Sequence, residues 1–469
     1  MASDIADQVT PDQLFQRAAA LHRQGKIDLA IIAYRKILQM APEHAGVWGN
    51  LGVALRTKGD FPAAVIAYKR ALEIVPGDPG ITGNLGNALK DMDRLEEALD
   101  AHCRAAAAQA DDFNIRYNYG IALRESALYE QSLVELEAAI ALKPGDPHPR
   151  WDRAIALLHL GRFREGWAAY ETRWQTGELP KRPVAVPRWQ GEGFEGKTLL
   201  VFAEQGFGDS ILTSRFIPLI KERAGEGAAA GRVILECKAP LQDLFSDIEG
   251  IDRMVEPGES DDDYDLEVPI MSLPGIFGAS DENLPPPPNL HIPDYARQKA
   301  QVLLRQDARF KVGIVWSGSV TFKGNRKRAV GVENFLPFAE VSGVDLYALQ
   351  KGPRSGDLEI AGGGAVVTAI GEQLDSFAET AAVLNELDLV IMTDSSVAHL
   401  AGSLGRPVWN LLNKATYWLY RGEDETTPWY PSMKLFRQDA AGEWEPVFEH
   451  VRQALTTAVA AKRAGRWPE

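Results

Sequence analysis

Cysteine is nearly missing from this chain: Cys103 and Cys237 are the whole complement in 469 residues. Two isolated thiols, one in an expected repeat helix and one in an expected strand, exclude a disulfide framework and suit a reducing compartment. No His and Cys set has zinc spacing, and no glycine, lysine and serine run forms a P-loop. Long apolar runs are lacking too, since nothing approaches the roughly 18 to 20 apolar residues of a membrane-spanning helix. Asp4, Asp7 and Asp12 stand where a secretory leader would carry basic and then apolar residues, so a cytoplasmic chain without a membrane span is expected. Positive charge is also in short supply: 50 Lys and Arg against 65 Asp and Glu leave a formal net charge of -15. That balance argues against a nucleic-acid partner, whose phosphates are bound by neutralising them, but leaves room for a small local anion site.

Regularity is what the chain has instead. Leucines at 21, 55, 89, 123 and 157 recur with a step of 34. Small residues (Ala18, Gly52, Gly86, Gly120, Ala154) precede them, and a second small set (Ala30, Ala64, Ala98, Ser132, Gly166) follows. The apolar spacing between is helical, and breaks at Gly25, Gly59, Gly161, Pro42, Pro76 and Pro144 delimit two short antiparallel helices per unit. One hairpin cannot bury its apolar face, whereas about five stacked ones share a core and curve around a concave surface. The array resembles the tetratricopeptide repeat, most closely in the unit with Trp48, Leu51, Gly52, Leu55, Ala64, Tyr68, Ala71 and Pro76. In the third copy His102 replaces the aromatic residue and Ala110 the terminal proline; the fifth lacks that proline.

The chain is too long for a single core, and its 45% apolar content is enough to bury more than one. From Thr198 the period changes. TLLVFAEQ and RVILECK read as buried strands with a helix from about Asp209 to Arg223 between them. After the stiff run at Pro285 to Pro288, KVGIVWSG, VDLYALQ, LDLVIMTD and PVWNLLN read as further strands, alternating with helical stretches near 333 to 340, 376 to 386 and 396 to 404. Two parallel-sheet lobes are implied, and ligands of such sheets bind at the carboxyl ends of strands.

Three strand ends carry chemistry. Glu204, Gln205, Gly206, Phe207, Gly208 and Asp209 form a glycine turn that opens a helix, where Asp209 is either a helix cap or a general base. Thr393, Asp394, Ser395, Ser396 and His399 begin a second helix, whose first-turn amides and hydroxyls suit an anion. Asp394 there reads as a cap or a ribose contact, and His399 as a packed core histidine or a donor contact. The third end, Trp316, Ser317, Gly318 and Ser319, leads into Lys323, Arg326, Lys327 and Arg328, either a solvated loop or a diphosphate clamp, with Gln350 and Lys351 at the next strand end. Asp261, Asp262, Asp263 and Asp265 have a metal-binding composition, but consecutive carboxylates in a turn rarely converge on one ion, so no metal is expected.

AEQGFGDSILTSRF, Pro269 with Ser272-Leu273-Pro274, VGIVWSGS, LYALQKGP, SFAETAAVLNELDLVIMTDSSVAHLAGSLGRPVW and PWYPSMKLFRQ together resemble the glycosyltransferase domain that many bacteria fuse to tetratricopeptide repeats, which is similar to the heptosyltransferases of lipopolysaccharide core synthesis. The resemblance implies an α-solenoid at 11–178, a linker at 179–195, and an α/β GT-B fold of two Rossmann-like lobes at 196–300 and 308–440. A helix at 441–469 would pack back on the lobes. It implies a metal-independent glycosyltransferase with no cofactor and a nucleotide sugar as donor substrate. By motif position Asp209 is the base, and Asp394, Ser395, Ser396 and His399 are donor contacts; the chemistry of the strand ends adds Gly206, Gly208, Ser317, Lys323, Arg326, Arg328, Gln350 and Lys351 as expected donor contacts. Within the array, Gln16, Asn50, Asn84, Asn118 and Asp152 recur at one repeat position. The repeats of O-linked N-acetylglucosamine transferase use a similar asparagine ladder, so Asn50, Asn84 and Asn118 are acceptor contacts for a protein or peptide, a flagellin being one candidate. A side-chain amide can donate and accept at once, and so can match a peptide backbone; alternatively these amides serve only their own helix pair. A saccharide acceptor, such as lipopolysaccharide or another polysaccharide, and an inactive scaffold are the alternative readings.

Overall fold

The computed structural model describes residues 10–180, 182, 186–259, 264–322 and 324–467. Two compact units divide it, Met1–Ala156 and Leu157–Glu469. Ten helices run in sequence through the first unit and into the second: α1 (Pro11–Arg23), α2 (Ile27–Met40), α3 (Ala45–Lys58), α4 (Phe61–Ile74), α5 (Pro79–Asp91), α6 (Leu95–Ala108), α7 (Phe113–Glu125), α8 (Tyr129–Leu142), α9 (His148–His159) and α10 (Phe163–Tyr170). The division falls inside α9, short of the end at 178 expected for the array.

The hairpins of the first unit are closed by bulky residues seated on glycines. A Cβ on Gly52 would lie 2.5 Å from the Tyr68 ring, one on Gly86 2.8 Å from His102, and one on Gly120 2.9 Å from Leu136. The small residues of the 34-residue pattern are thus the places where paired helices touch. The turn between the two helices of each hairpin needs a left-handed residue. Gly25 and Gly59 supply it at φ 75 and 88, but Asp93 (φ 58) and Ala127 (φ 60) take the same place in the third and fourth repeats. Aspartates 60, 78 and 112 accept backbone N–H groups that start α4, α5 and α7.

A charge ladder with the same step joins the repeats. Arg56 pairs with Asp91 (2.6 Å), Lys90 with Glu125 (3.1 Å) and Arg124 with Asp152 (3.2 Å). Each cation sits at the end of one repeat's first helix and reaches the first helix of the next repeat, so the pairs set the register between neighbours. The sequence carries a signal for it, since 56, 90 and 124 are spaced as the leucines are.

The second unit holds two sheets. Strands β1 (Thr198–Phe202), β2 (Arg232–Glu236), β3 (Arg253–Val255) and β4 (Leu266–Pro269) form one in the order β3-β2-β1-β4, all parallel. The other contains β5 (Phe310–Val315), β6 (Val344–Ala348), β7 (Val367–Ala369), β8 (Leu389–Thr393), β9 (Val408–Leu412), β10 (Thr426–Thr427) and β11 (Tyr430–Arg437), ordered β10-β11-β9-β8-β5-β6-β7. It is parallel except for the β10 edge. Buried on both faces, β5, β8 and β9 read as nearly continuous apolar runs.

The helix expected over 209–223 is broken into Phe207–Thr213, a 3₁₀ turn at Ser214–Phe216 and Ile217–Lys221, because Pro218 can only begin a helix. The stretch near 333–340 forms two 3₁₀ turns, whereas Phe377–Glu386 and Ser396–Ser403 are α-helices. The segment expected to be a linker is partly built into the first sheet: Trp189 is fully buried, its amide bonds Glu267 O, and Arg188 bridges to Glu267 beside β4. Glu445–Arg463 is one long helix whose Val447, Phe448, Val451 and Leu455 enter the core of the larger sheet. Among the described residues no helix is long and apolar enough to cross a membrane.

Candidate functional site

Strand order locates the site before any side chain does. In the smaller sheet β2 and β3 extend from β1 on one side and β4 lies on the other, so the order reverses beside β1. In the larger sheet it reverses between β5 and β8. Connections leave such a point in opposite directions and open a crevice at the carboxyl ends of the strands. Those ends are Glu204 to Asp209 after β1, Trp316 to Ser319 after β5, and Asp394 to Ser396 after β8.

The helices that leave β1 and β8 meet. A Cβ on Gly208 would stand 3.3 Å from Ser396 Cα and 2.7 Å from the His399 ring, so only glycine allows this approach. Asp209, one turn into its helix, accepts the Gly206 amide on Oδ2 at 3.0 Å, which makes it a helix cap. Its other oxygen, Oδ1, turns to the second sheet, where the Tyr417 hydroxyl lies 3.4 Å away. Burial raises the Asp209 carboxyl above the usual aspartate range and the nearby charge of Asp394 adds to this, against the Gly206 and Tyr417 hydrogen bonds. An aspartate raised in this way is a better proton acceptor near neutral pH than an ordinary one.

Asp394 is ion-paired with Arg328 at 2.9 Å and accepts the Tyr420 hydroxyl at 3.1 Å. Ser395 caps its helix, its Oγ accepting Val397 N at 3.4 Å. His399 is buried, hydrogen-bonded through Nδ1 to the Tyr430 hydroxyl at 3.1 Å, and burial lowers its pKa to about 4, so it is neutral. Ser317 accepts from Asn325 Nδ2, while Gln350 accepts the amides of Trp316 and Ser317 and so folds the turn after β5. Arg328 packs over Gly318 of that turn. Asp209, Gly208, Asp394, Ser396, His399, Arg328 and Ser317 therefore belong to one neighbourhood. Lys351 instead donates to the Leu374 carbonyl. Arg326 and Lys327 lie on the single turn Asn325–Arg328. Lys323 and the acidic run at Asp261, Asp262 and Asp263 fall outside the described residues. Among the described residues no three His, Cys, Asp or Glu side chains converge as a metal cluster.

Several members had no signal in the sequence. Tyr417 and Tyr420 lie in a loop between recognised segments. Arg215 is buried, donates to Trp429 O at 2.9 Å and stacks over Trp429 and Tyr430, which ties the helical turn after Asp209 to the larger sheet. Arg173, just after α10, donates to Glu204 (2.9 Å), Ser272 (2.8 Å) and Glu171 (2.6 Å), and Tyr170 accepts from Gln205 at 3.3 Å. The turn that carries Asp209 is thus held, within the second unit, by Tyr170 of α10 and Arg173 just after it.

In the array, Asn50 donates to Gly46 O of its own helix at 2.9 Å. Asn84 and Asn118 are half-buried, Gln16 is exposed, and Asp152 is buried against Tyr117 (2.8 Å) and Arg124. The five equivalent positions therefore have unequal surroundings.

The N-terminal region carries tetratricopeptide repeats, and the tetratricopeptide repeat family model matches residues 15–79. Protein FlbA of Caulobacter vibrioides is 30% identical over 323 residues, covering 64% of this chain and 53% of FlbA. That match is longer than the first unit, so the likeness continues into the sheet unit. The chain spans about half the length of FlbA. Among solved structures, pilF of Pseudomonas aeruginosa is 20% identical, with 36% of this chain and 78% of that one covered and a TM-score of 0.34. A thermophilic TPR protein of Thermus thermophilus is 19% identical, with coverages of 36% and 92% and a TM-score of 0.32.

Proposed function

We propose that Leu157–Glu469 is a metal-independent glycosyltransferase of GT-B architecture, one Rossmann-like lobe on each sheet, and that the repeats hold its protein acceptor. The observation that carries this reading is the close approach of Gly208, beside Asp209 at the reversal point of one sheet, to the helix Ser396–Ser403 at the reversal point of the other. The nucleotide sugar would lie with its phosphates toward the start of that helix, whose dipole adds about 0.3 to 1 kcal/mol for a nearby anion. In the transfer the acceptor oxygen bonds the anomeric carbon, the bond from that carbon to the phosphate oxygen breaks, and the acceptor proton passes to Asp209. Negative charge grows on the leaving phosphate and is met by helix amides and the cations after β5. Tetratricopeptide arrays commonly bind protein partners, and Asn84 with Asn118 would meet an extended acceptor backbone.

A scaffold with silent lobes is the second reading. It is favoured by the pairing of Arg328 with Asp394, which engages one cation expected at the phosphates. Two measurements separate the readings. A nucleotide sugar present at 100 times its dissociation constant should stabilise the chain by about 2.7 kcal/mol. Asp209→Asn should keep that stabilisation and lose transfer; a variant with undiminished transfer overturns the assignment of Asp209.

A further inference from the structure

The loop after β9 brings a phenol to the candidate base. Two residues anchor the loop: Trp418 is buried between the rings of Trp167 (5.1 Å) and Trp429 (5.2 Å), and Tyr420 donates to Asp394 at 3.1 Å. Tyr417, beside them, is only half-buried. Its hydroxyl faces Asp209 Oδ1 at 3.4 Å, while Oδ2 is taken by the Gly206 amide at 3.0 Å. Oδ1 is therefore the oxygen left to receive a proton, and the Tyr417 hydroxyl stands where an acceptor hydroxyl would have to stand to deliver one.

Resting on the transferase reading above, we propose that Tyr417 gates the acceptor subsite: its hydroxyl holds Asp209 Oδ1 until a hydroxyl of the acceptor displaces it. The gate is a side-chain movement, because Trp418 and Tyr420 keep the backbone in place while rotation about the Tyr417 side chain frees the oxygen. Tyr417 is not itself the base. Burial and the adjacent Asp209 raise its hydroxyl well above the usual tyrosine range, so it stays protonated and donates. The other groups around Asp209 are Tyr170 from α10, Asp394 with its Arg328 partner from the end of β8, and the neutral His399 against Gly208.

The test is Tyr417→Phe, which keeps the ring and its contacts with Trp418 and His399 and removes only the competing hydroxyl. With one hydrogen bond no longer in competition, KM for the protein acceptor should fall about two- to tenfold. The acidic limb of the pH profile of kcat/KM should move to higher pH, since a hydrogen bond that favours ionised Asp209 is gone. A merely structural role would lower kcat and melting temperature together and leave that limb in place, which would overturn the gate. An active wild type whose Tyr417→Phe variant keeps both KM and the limb overturns the gate alone. A wild type that transfers from no nucleotide sugar, with Asp209→Asn indistinguishable from it, overturns the transferase reading, and the gate falls with it.

Discussion

The helical array and the sheet unit bury charge in opposite ways. Along the array a ladder of partly exposed ion pairs joins one repeat to the next, its cations recurring at a fixed step; Arg56 and Asp91 keep 37% and 18% of their side-chain surface. In the sheet unit Arg173 and Glu204 keep 3% each, and their network gathers residues from α10, β1 and the turn after β4. A second such network joins Arg182 and Arg188 to Glu236 and Glu267. The array is therefore built of replaceable parts, whereas each buried charge of the sheet unit depends on several elements being in place at once.

The sharpest break of this contrast is Arg173→Met, which strands Glu204 in a buried site where its carboxyl is already raised by desolvation. A loss of about 3 to 5 kcal/mol is expected in chemical denaturation of the full chain. Arg56→Ala in the array should cost less than about 1 kcal/mol by the same measurement. Equal losses would erase the distinction.

Next in size is the acid response of the array. His102 occupies the place held by Tyr34 and Tyr68 in earlier repeats, is fully buried, and has neither ring nitrogen bonded. Burial lowers its pKa to about 4 from an ordinary 6.5. The unfolded chain thus binds a proton that the folded one resists, so stability is complete above the ordinary value and is lost as pH falls from about 6.5 to about 4. The loss is on the order of 3 kcal/mol. Amide exchange in α5 and α6 at the two ends of that range would measure it, and His102→Tyr should remove the dependence. His399 carries the same lowered pKa in the sheet unit but is hydrogen-bonded to Tyr430, so the two histidines contrast an unsatisfied site with a satisfied one.

The smallest effect concerns the repeat turns. Ala127 holds the left-handed position that glycine fills at 25 and 59. Ala127→Gly should raise the melting temperature, relieving roughly 1 kcal/mol of backbone strain; an unchanged or lower value would mean that the turn does not carry that strain.

The parts of the molecule legible in the sequence were those with local causes. Leucine and glycine spacing exposed every hairpin, yet Asp93 and Ala127 hid two turns because neither residue signals a left-handed backbone. Apolar runs showed the long central strands. The short β3 and β7 gave too few residues for a pattern, and Pro431 disguised β11. At the site, polar residues closing an apolar strand marked Asp209, Ser317 and Asp394. The approach of Tyr417 to Asp209, the burial of Arg215 under Trp429 and the grip of Arg173 on Glu204 left no trace in spacing, since each joins segments far apart in the chain.

By itself the sequence determined the repeat hairpins, their contact points and the strand ends that carry polar groups, because residues a few positions apart meet by helix and strand geometry alone. Only the tertiary structure decided which strand ends come together and which phenol faces the carboxylate. Parallel strand order and loop docking are set by long-range packing, which no local spacing encodes.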